Sequence, residues 1–225
     1  LKSLGDYMFT RGLTRIYFHR YVHQPHPTAM PGMTMGPWGL HFDRTNTWWK
    51  PGKAWITYLN RCQYVFQHSA FYADMLYHSG DNTFGTTIEP EQTPLAPPEG
   101  YDYDIVNTEI LEKAVIKDGK IVLPATKFGG YKLLVFPVSD AITMPTLRVL
   151  ARLVRAGMVL VARKPKYALG MEGKRQEGEF RMLIDEIWSS PHVYEEGLPA
   201  VLEQLEPSPD FSFHSVGGEN SIHAI

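Results

Sequence analysis

The feature that most constrains the fold is a pair of continuous apolar segments separated by one helical pattern. The segments are YKLLVFP (131–137) and MVLVA (158–162), and each has the length of a strand buried on both faces. Between them, Thr143 is positioned to cap a helix with Pro145 in its first turn and Gly157 beyond its end. A strand, a helix and a second strand of this kind form a βαβ unit. The sequence therefore predicts a parallel sheet covered by helices on both sides.

Other local patterns extend this prediction to the rest of the C-terminal region. Asp118-Gly119 lies between two apolar runs and predicts a β-hairpin, and so does Gly217-Gly218 within FSFHSVGGENSIHAI (211–225). YADMLYHS (72–79) predicts a strand, and residues 105–113 show a short helical pattern. Two apolar stripes at helical spacing predict two more helices; they are Phe180, Leu183, Ile184 and Ile187, and Leu198, Val201, Leu202 and Leu205.

The N-terminal region has a different pattern. RIYFHRYVH (15–23) alternates apolar and polar side chains, as a half-buried strand does. Ile16 and Phe18 fall on one face, and Tyr17, His19 and Tyr21 fall on the other. The residues that follow are rich in Gly, Pro and aromatic side chains without any period, which predicts a long irregular loop. Loops of this length in compact domains are commonly functional.

An apolar stripe predicts a helix over residues 53–69, and its members are Trp55, Leu59, Cys62 and Phe66. Because Cys62 lies on this stripe, we interpret it as a buried core thiol. One strand and one helix bury too little surface to stand alone. We therefore expect residues 1–70 to be the last strand, loop and helix of a (β/α)8 barrel whose earlier strands lie upstream, and the chain to be a fragment of a longer protein.

The balance of charge argues against some partners. The 225 residues carry 22 Lys and Arg against 24 Asp and Glu, so there is no basic excess for binding nucleic acid or an anionic membrane surface. The sequence has no run of about 18 apolar residues that could span a bilayer. The single cysteine, Cys62, excludes an internal disulfide and any cysteine-rich metal site. We expect neither nucleic acid nor a membrane as a partner.

Polar groups and flat aromatic rings occur together around the end of the predicted strand, and sugar-binding sites combine the same two elements. In a (β/α) barrel the active site lies at the carboxyl ends of the strands, where residues 19–26 fall. The candidate substrate-binding residues are His19, His23, Gln24, His26, Asp43, Arg44, Trp48 and Trp49, with Trp38 as a further ring. Aromatic neighbours could also raise the pKa of Asp43 to a value suited to acid/base work.

Two other interpretations of the histidines stay open. Three imidazoles within eight residues are dense enough to suggest zinc, but Pro25 and Pro27 disfavour the helix that would align them. A structural zinc site also needs a fourth ligand, and no Cys or His-rich segment follows to supply one. Alternatively, the histidines simply satisfy hydrogen bonds of the loop and the core.

The same residues carry a family resemblance. RIYFHRYVHQPHP, PGMTMGPWGLHFDRTNTWWKPGKAWITYLNRCQYVFQ and ADMLYHSGD resemble the catalytic-domain end of glycoside hydrolase family 106, the α-L-rhamnosidases. Weaker similarity extends through GYDYDIVNTEILEKAVIKDGKIVLP, YKLLVFP and LVRAGMVLVARKP. The resemblance implies the end of a (β/α)8 barrel in residues 1–70. It also implies an α/β three-layer domain of class I amidotransferase-like, flavodoxin-like topology in residues 71–225.

The resemblance also implies an activity: hydrolysis of terminal α-L-rhamnosyl linkages in polysaccharides or glycosides, with inversion and with calcium assisting sugar binding. Inversion needs two carboxylates on opposite sides of the sugar ring. The loop contains one carboxylate, Asp43, and the resemblance implies that the family's paired catalytic glutamates lie on barrel strands upstream of this chain. Glu89, Glu91 and Glu99 lie in a proline-rich connector and are poor candidates. The chain alone is then expected to be inactive, and the complete enzyme periplasmic or extracellular. The alternatives are a β-galactosidase-like glycosidase of similar architecture and a non-catalytic carbohydrate-binding protein.

Overall fold

The structure, a computed structural model, describes residues 2–19, 21–29, 42–81, 89–205 and 208–209. It divides the chain into two compact units between Phe71 and Tyr72. Trp38 and the hairpin predicted within residues 211–225 lie outside the described residues. No helix of the described part combines the length and the hydropathy that crossing a membrane requires.

The described residues form seven α-helices and nine short strands. The helices are α1 (Lys2–Thr10), α2 (Gly52–His68), α3 (Thr108–Leu111), α4 (Met144–Arg155), α5 (Gly170–Arg175), α6 (Glu177–Trp188) and α7 (Leu198–Leu205). The strands are β1 (Met75–His78), β2 (Tyr103–Val106), β3 (Val115–Lys117), β4 (Lys120–Val122), β5 (Leu133–Val135), β6 (Ala141–Ile142), β7 (Leu160–Val161), β8 (Tyr167–Ala168) and β9 (Val193–Tyr194). A 3₁₀ turn spans Pro90–Gln92.

The second unit is built on a five-stranded sheet in the order β2-β1-β5-β7-β9, and every neighbouring pair is parallel. In chain order these are the second, first, third, fourth and fifth strands, which is the order of flavodoxin-like doubly wound sheets. β6 and β8 form a separate parallel pair, with Ala141 opposite Tyr167. The prediction of an α/β fold with a mostly parallel central sheet is confirmed.

Successive residues of β1 and β5 point to opposite faces of the sheet, so the sheet supports two apolar cores. Leu76 and Leu134 belong to a core that includes buried residues of α4 and α6. Met75 and Leu133 belong to a second core that includes α7. The helices therefore cover both faces, as the two continuous apolar segments predict.

Several local predictions are confirmed in detail. Asp118 and Gly119 have φ angles of 50° and 74°, which both central residues of a type I′ hairpin turn require, and they join β3 to the antiparallel β4. Thr143 Oγ1 accepts a hydrogen bond from the Thr146 N–H at 3.4 Å and caps α4. The four predicted apolar residues of α6 are all buried. In α7 the first three residues of the predicted apolar stripe are buried, whereas the fourth, Leu205, is 41% exposed.

The helix predicted over residues 105–113 is wrong in its first half. Residues Tyr103–Val106 form β2, and the helix is limited to α3, where the Ile110 N–H donates to Asn107 Oδ1 at 3.0 Å. β2 is an edge strand whose side chains are mostly half-buried or exposed. Such a strand has no continuous apolar run, so its pattern resembles that of a connector.

The first unit contains the predicted helix, α2, and a helix that the sequence pattern did not indicate, α1. The two helices pack together at Gly5, where an added Cβ would lie 3.7 Å from Leu59 Cδ2. The rings of Phe9 and Phe66 meet nearby with centroids 5.0 Å apart. Cys62 is half-buried and not fully buried as expected.

Candidate functional site

Residues 13–18 have no regular secondary structure and are held by side chains of α2. The Ile16 N–H donates to Gln63 Oε1 at 2.7 Å, and Gln67 Nε2 donates to the Thr14 carbonyl at 3.1 Å. Side-chain amides thus take the place of a neighbouring strand, and residues 15–19 form no β-ladder within the described part of the chain. The prediction of a strand over residues 15–23 is not confirmed in the described residues: residues 15–19 form no strand, the chain bends at His19, and pairing begins with isolated bridges at Tyr21 and His23.

An aromatic frame fixes this segment against α2. The Phe18 ring lies 4.7 Å from the Phe42 ring and 5.3 Å from the Trp55 ring, measured between centroids. The Phe42 and Trp55 rings are stacked, with planes 9° apart and centroids separated by 6.4 Å. Phe18 therefore packs against α2 through Trp55 while 40% of its surface stays exposed, and Tyr17 is 80% exposed.

A single parallel bridge joins Tyr21 to Phe42 and sets the direction of the next residues. The Val22 N–H donates to the Phe42 carbonyl at 3.2 Å, and the Val22 side chain is buried. Because side chains alternate along an extended chain, the buried Val22 leaves His23 exposed on the other side. His19 is exposed as well.

Arg44 ties the loop after this segment to the turn that contains Asp43. Its Nη2 donates to the backbone carbonyls of Gln24 and His26, both at 3.3 Å. A guanidinium can hold two acceptors at once because its N–H groups form a rigid planar fork. Arg44 therefore fixes the position of a loop that carries three of the predicted site residues.

His26 and Gln24 also make contacts inside this loop. The Nδ1 atom of His26 accepts from the Ala29 N–H at 2.9 Å and from the Thr28 N–H at 3.2 Å. This uses the Nδ1 lone pair and leaves Nε2 for other partners. Gln24 Nε2 donates to the Ala29 carbonyl, while Gln24 Oε1 is buried and has no hydrogen-bond partner in the described structure.

Asp43 is buried at 4% exposure and begins a tight turn. Hydrogen bonding from the Thr45 hydroxyl lowers the pKa of Asp43, and the backbone N–H groups of Thr45 and Arg44 act in the same direction against the effect of burial. The expected rise in pKa is therefore wrong, because donors within the turn outweigh desolvation. Asp43 is an anion at neutral pH and is not suited to act as a general acid.

The two predicted indoles have different environments. Trp48 is half-buried and meets the Phe42 ring edge-on at 5.3 Å. Trp49 is 37% exposed and lies 6.1 Å from Tyr21, whose side chain is 69% exposed. The exposed ring surface beside the loop is thus formed by Trp49 and Tyr21, and Trp48 supports it from beneath through Phe42.

The structure brings most of the predicted residues into one region of the first unit, and it adds others that sequence reasoning missed. Tyr17 and Tyr21 extend the exposed aromatic surface, and their alternation with Phe18 was the available signal. Gln63 and Gln67 position the segment, but nothing in their local sequence indicated this, because their partners lie about 50 residues away.

No three His, Cys, Asp or Glu side chains among the described residues are arranged to hold a metal ion. Asp43 is the only carboxylate of the site region, and its oxygens already accept hydrogen bonds within the turn. Calcium prefers six to eight oxygen ligands. The residues described here do not by themselves form such a site.

A second polar cluster lies at the carboxyl end of β1, where doubly wound sheets commonly bind ligands. His78 Nδ1 accepts from the Gly80 N–H at 3.0 Å, so the proton is on Nε2, which lies 3.0 Å from Thr108 Oγ1. Thr108 Oγ1 lies 2.6 Å from Thr146 Oγ1, and Thr146 donates to Asp81 at 2.8 Å. The hydrogen bonds therefore run in one direction, from the imidazole to the carboxylate.

This second cluster satisfies its own polar groups. Burial lowers the pKa of His78 to about 4, against a weaker opposing effect of the Asp81 charge, and the imidazole stacks on Phe136 at 4.8 Å. Asp81 also accepts from the Thr143 N–H at 2.6 Å and places a negative charge at the N-terminus of α4. Every side chain in the hydrogen-bonded series from His78 through Thr108 and Thr146 to Asp81 has a protein partner. We therefore interpret the cluster as structural.

Comparisons with known proteins agree on one class of enzyme. A curated protein of Formosa agariphila named "Putative beta-glucuronidase" is 36% identical over 217 residues, which cover 96% of this chain and 18% of that protein. A solved structure of a rhamnosidase from Novosphingobium sp. PP1Y matches with a TM-score of 0.81 at 25% identity, over 96% of this chain and 22% of that one. The chain thus spans about a fifth of the length of these relatives.

The family comparison covers almost the whole chain. The model of glycoside hydrolase family 106, described as alpha-L-rhamnosidase, matches residues 1–222 and therefore includes both compact units. The segments that carry the resemblance in the sequence also form the aromatic frame, the loop held by Arg44 and the strand β1. This chain belongs to glycoside hydrolase family 106, the alpha-L-rhamnosidases.

Proposed function

We propose that this chain is part of a longer, exported glycosidase that releases terminal α-L-rhamnosyl units with inversion. Residues 1–70 form the end of its catalytic (β/α)8 barrel, and residues 71–225 form the amidotransferase-like α/β domain that follows. Membership of the family supports the reaction. The proportions of the relatives that are matched, 18% and 22%, support the view that the rest of the enzyme lies outside this chain. Periplasmic or extracellular location follows from a polymeric substrate.

The observation that carries this proposal is the loop held by Arg44 beside exposed aromatic rings. His23, Gln24 and His26 supply hydrogen-bonding groups for sugar hydroxyls. Trp49 and Tyr21 supply a ring surface for the apolar C–H face of the sugar. His19 lies on the exposed side of the same segment and extends this polar surface.

The catalytic acid and base of this proposal come from outside the chain. Residues 1–71 contain two carboxylates, Asp6 and Asp43. Lys2 and Tyr58 donate to Asp6 and lower its pKa, and Thr45 does the same for Asp43. Neither carboxylate holds a proton to give at neutral pH, so neither serves as the general acid. Together with membership of the family, this leads us to propose that both catalytic groups lie on preceding strands and that the chain alone is inactive. Because the described residues do not form a calcium site, we derive no step through calcium here.

A glycosidase of the same architecture with another specificity is the second candidate. The printed name of the Formosa agariphila relative, at 36% identity, favours a glucuronide-hydrolysing enzyme, and β-galactosidase activity belongs to the same alternative. Release of the aryl group from α-L-rhamnosides, β-glucuronides and β-galactosides by the complete enzyme separates these activities. Hydrolysis of the rhamnoside alone supports the proposal, and hydrolysis of another glycoside in its place contradicts it.

The binding roles have a direct test in the complete enzyme. We expect His23→Ala or His19→Ala to lower kcat/KM at least tenfold, or about 1.4 kcal/mol, because each removes a group that contacts the sugar. His192→Ala is the matched control, since His192 is an exposed histidine of the second unit. Equal kinetics for all these variants and the parent would assign the two histidines to structure. The anomeric configuration of the first product, followed by NMR, tests inversion.

A further inference from the structure

The near balance of charge over the whole chain conceals a strong difference between the sequence up to residue 71 and the sequence after it. Residues 1–71 contain eight Lys and Arg and two Asp, which is a net charge of +6. Residues 72–225 contain 14 Lys and Arg and 22 Asp and Glu, which is a net charge of −8. Such asymmetry points to an anionic partner for the positive part. The positive part is also the unit that carries the candidate sugar site.

Three of these cations border one open hollow at the start of α2. The hollow has a volume of about 570 Å³, and its lining includes Lys50, Lys53 and Arg61. Lys53 and Arg61 lie eight residues apart on one helix, a separation of ~12 Å, and residues four apart share a helix face. Lys50, which also lines the hollow, directly follows Trp49 in the sequence.

The three cations have no carboxylate partner among the described residues. The ion pairs of the described part engage other lysines and arginines, and none includes Lys50, Lys53 or Arg61. The positive charge of the hollow is therefore available to a ligand.

The one acidic group beside the hollow is already neutralised. Tyr58 lines the hollow, and its hydroxyl donates to Asp6 Oδ1 at 2.6 Å. Lys2 pairs with the other oxygen of Asp6 and lies 4.6 Å from the centre of the Tyr58 ring. The Tyr58 ring thus provides a flat, uncharged surface between the cations. A hollow with cations and an aromatic ring suits an anionic sugar, which presents a carboxylate and an apolar C–H face.

We propose that the hollow between Lys50, Lys53 and Arg61 binds the carboxylate of a uronic acid next to the sugar held at Trp49. This assignment rests on the proposed function, because it names the acidic saccharide to which the terminal sugar is attached. Binding is electrostatic and partly exposed, so it weakens as salt rises above about 0.1 M, where the Debye length falls below ~10 Å. The site gives the enzyme a preference for acidic over neutral polysaccharides.

Two measurements on the complete enzyme test this site. The first is calorimetric binding of tri-galacturonate, with its carboxyl-reduced counterpart as the neutral probe. The second is the ratio of kcat/KM for a rhamnosyl-glucuronate disaccharide to that for its carboxyl-reduced form. We expect Lys53→Met with Arg61→Met to weaken tri-galacturonate binding about fivefold and to lower the ratio by a similar factor, as expected for the loss of two exposed ion pairs. The matched control is Lys117→Met with Arg163→Met, which removes two exposed cations of the second unit.

The outcomes separate this inference from the proposed function. Uronate binding that depends on Lys53 and Arg61 supports the site even if no rhamnoside is cleaved, and that result would overturn only the proposed activity. Cleavage of rhamnosides with equal preference for charged and neutral partners, unchanged by the double variant, would overturn the site and leave the activity intact. Weaker binding in the control variant to the same extent would also overturn it, because the effect would then be one of overall charge.

Discussion

The two units bury their apolar side chains to very different extents. In the second unit both faces of the sheet are covered, and two apolar cores lie between sheet and helices. In the described part of the first unit the buried large apolar residues are Phe9, Val22 and Leu59. Large side chains on the surface of its two helices stay exposed, among them Leu4 at 60% and Tyr64 at 65%. The described part of the second unit encloses its own cores, whereas that of the first leaves large apolar side chains exposed, and we expect the first to need further polypeptide for its stability.

The largest expected effect comes from separating the units. A polypeptide of residues 72–225 should unfold cooperatively, because its sheet and helices enclose complete cores, and a polypeptide of residues 1–71 should show no cooperative transition. Circular dichroism during urea titration measures both. A cooperative transition for residues 1–71 alone would show that this part also folds independently, and would contradict the contrast between the units.

The second comparison uses one ion pair from each unit. Lys132 Nζ lies 2.6 Å from Asp74 Oδ1, and both side chains are almost fully buried at 6% and 4% exposure. Lys132→Met leaves a buried carboxylate without its cation, and we expect the free energy of unfolding to fall by about 3–5 kcal/mol. Adding Asp74→Leu should recover most of this loss. Lys2→Met removes an exposed pair with Asp6 and should change the unfolding midpoint little, so equal losses in the two units would contradict the comparison.

The third comparison is the response of the second unit to acid. The pKa of His78 is about 4 in the folded protein and close to 6.5 when unfolded, so the unfolded state binds more protons between these values. Stability should therefore fall as pH decreases from 6.5 to about 4, by about 3 kcal/mol from this group. His78→Gln should flatten this part of the curve, and His192→Gln, an exposed control, should not. Urea midpoints measured across this pH range give the answer.

The smallest effect concerns Arg44, which positions the loop of the first unit. In the complete enzyme, Arg44→Met should release the carbonyls of Gln24 and His26 and lower kcat/KM about tenfold, or about 1.4 kcal/mol. A positioning role predicts partial recovery in Arg44→Lys, which keeps the charge but loses the planar fork. Arg163→Met serves as the exposed control. An effect on the unfolding midpoint with unchanged kinetics would make Arg44 a structural residue only.

Much of the second unit could be predicted because its determinants are local. The cap at Thr143, the turn at Asp118-Gly119 and the two apolar segments each depend on residues adjacent in sequence. β2 was missed because an edge strand with partly exposed side chains has no such local signature. α1 was missed because a segment of nine residues is too short for its apolar pattern to distinguish a helix from a loop.

The candidate site was predictable in composition but not in contacts. The residue types that bind sugars were visible around His23 and Trp49. The roles of Arg44 and Asp43 were not, because one depends on backbone carbonyls about 20 residues away and the other on the hydroxyl of Thr45. Aromatic neighbours suggested that burial would decide the pKa of Asp43, but hydrogen bonds within its own turn decide it.

The two glutamines of α2 have a consequence for how this region tolerates change. Gln63 and Gln67 recognise the backbone of residues 14 and 16, so they accept almost any side chain there while fixing the register of the segment. A one-residue insertion between Ile16 and Phe18 would move Phe18 away from the Phe42 and Trp55 rings and displace the residues that follow it. Changes in the length of this stretch should therefore be far more damaging than changes in its composition.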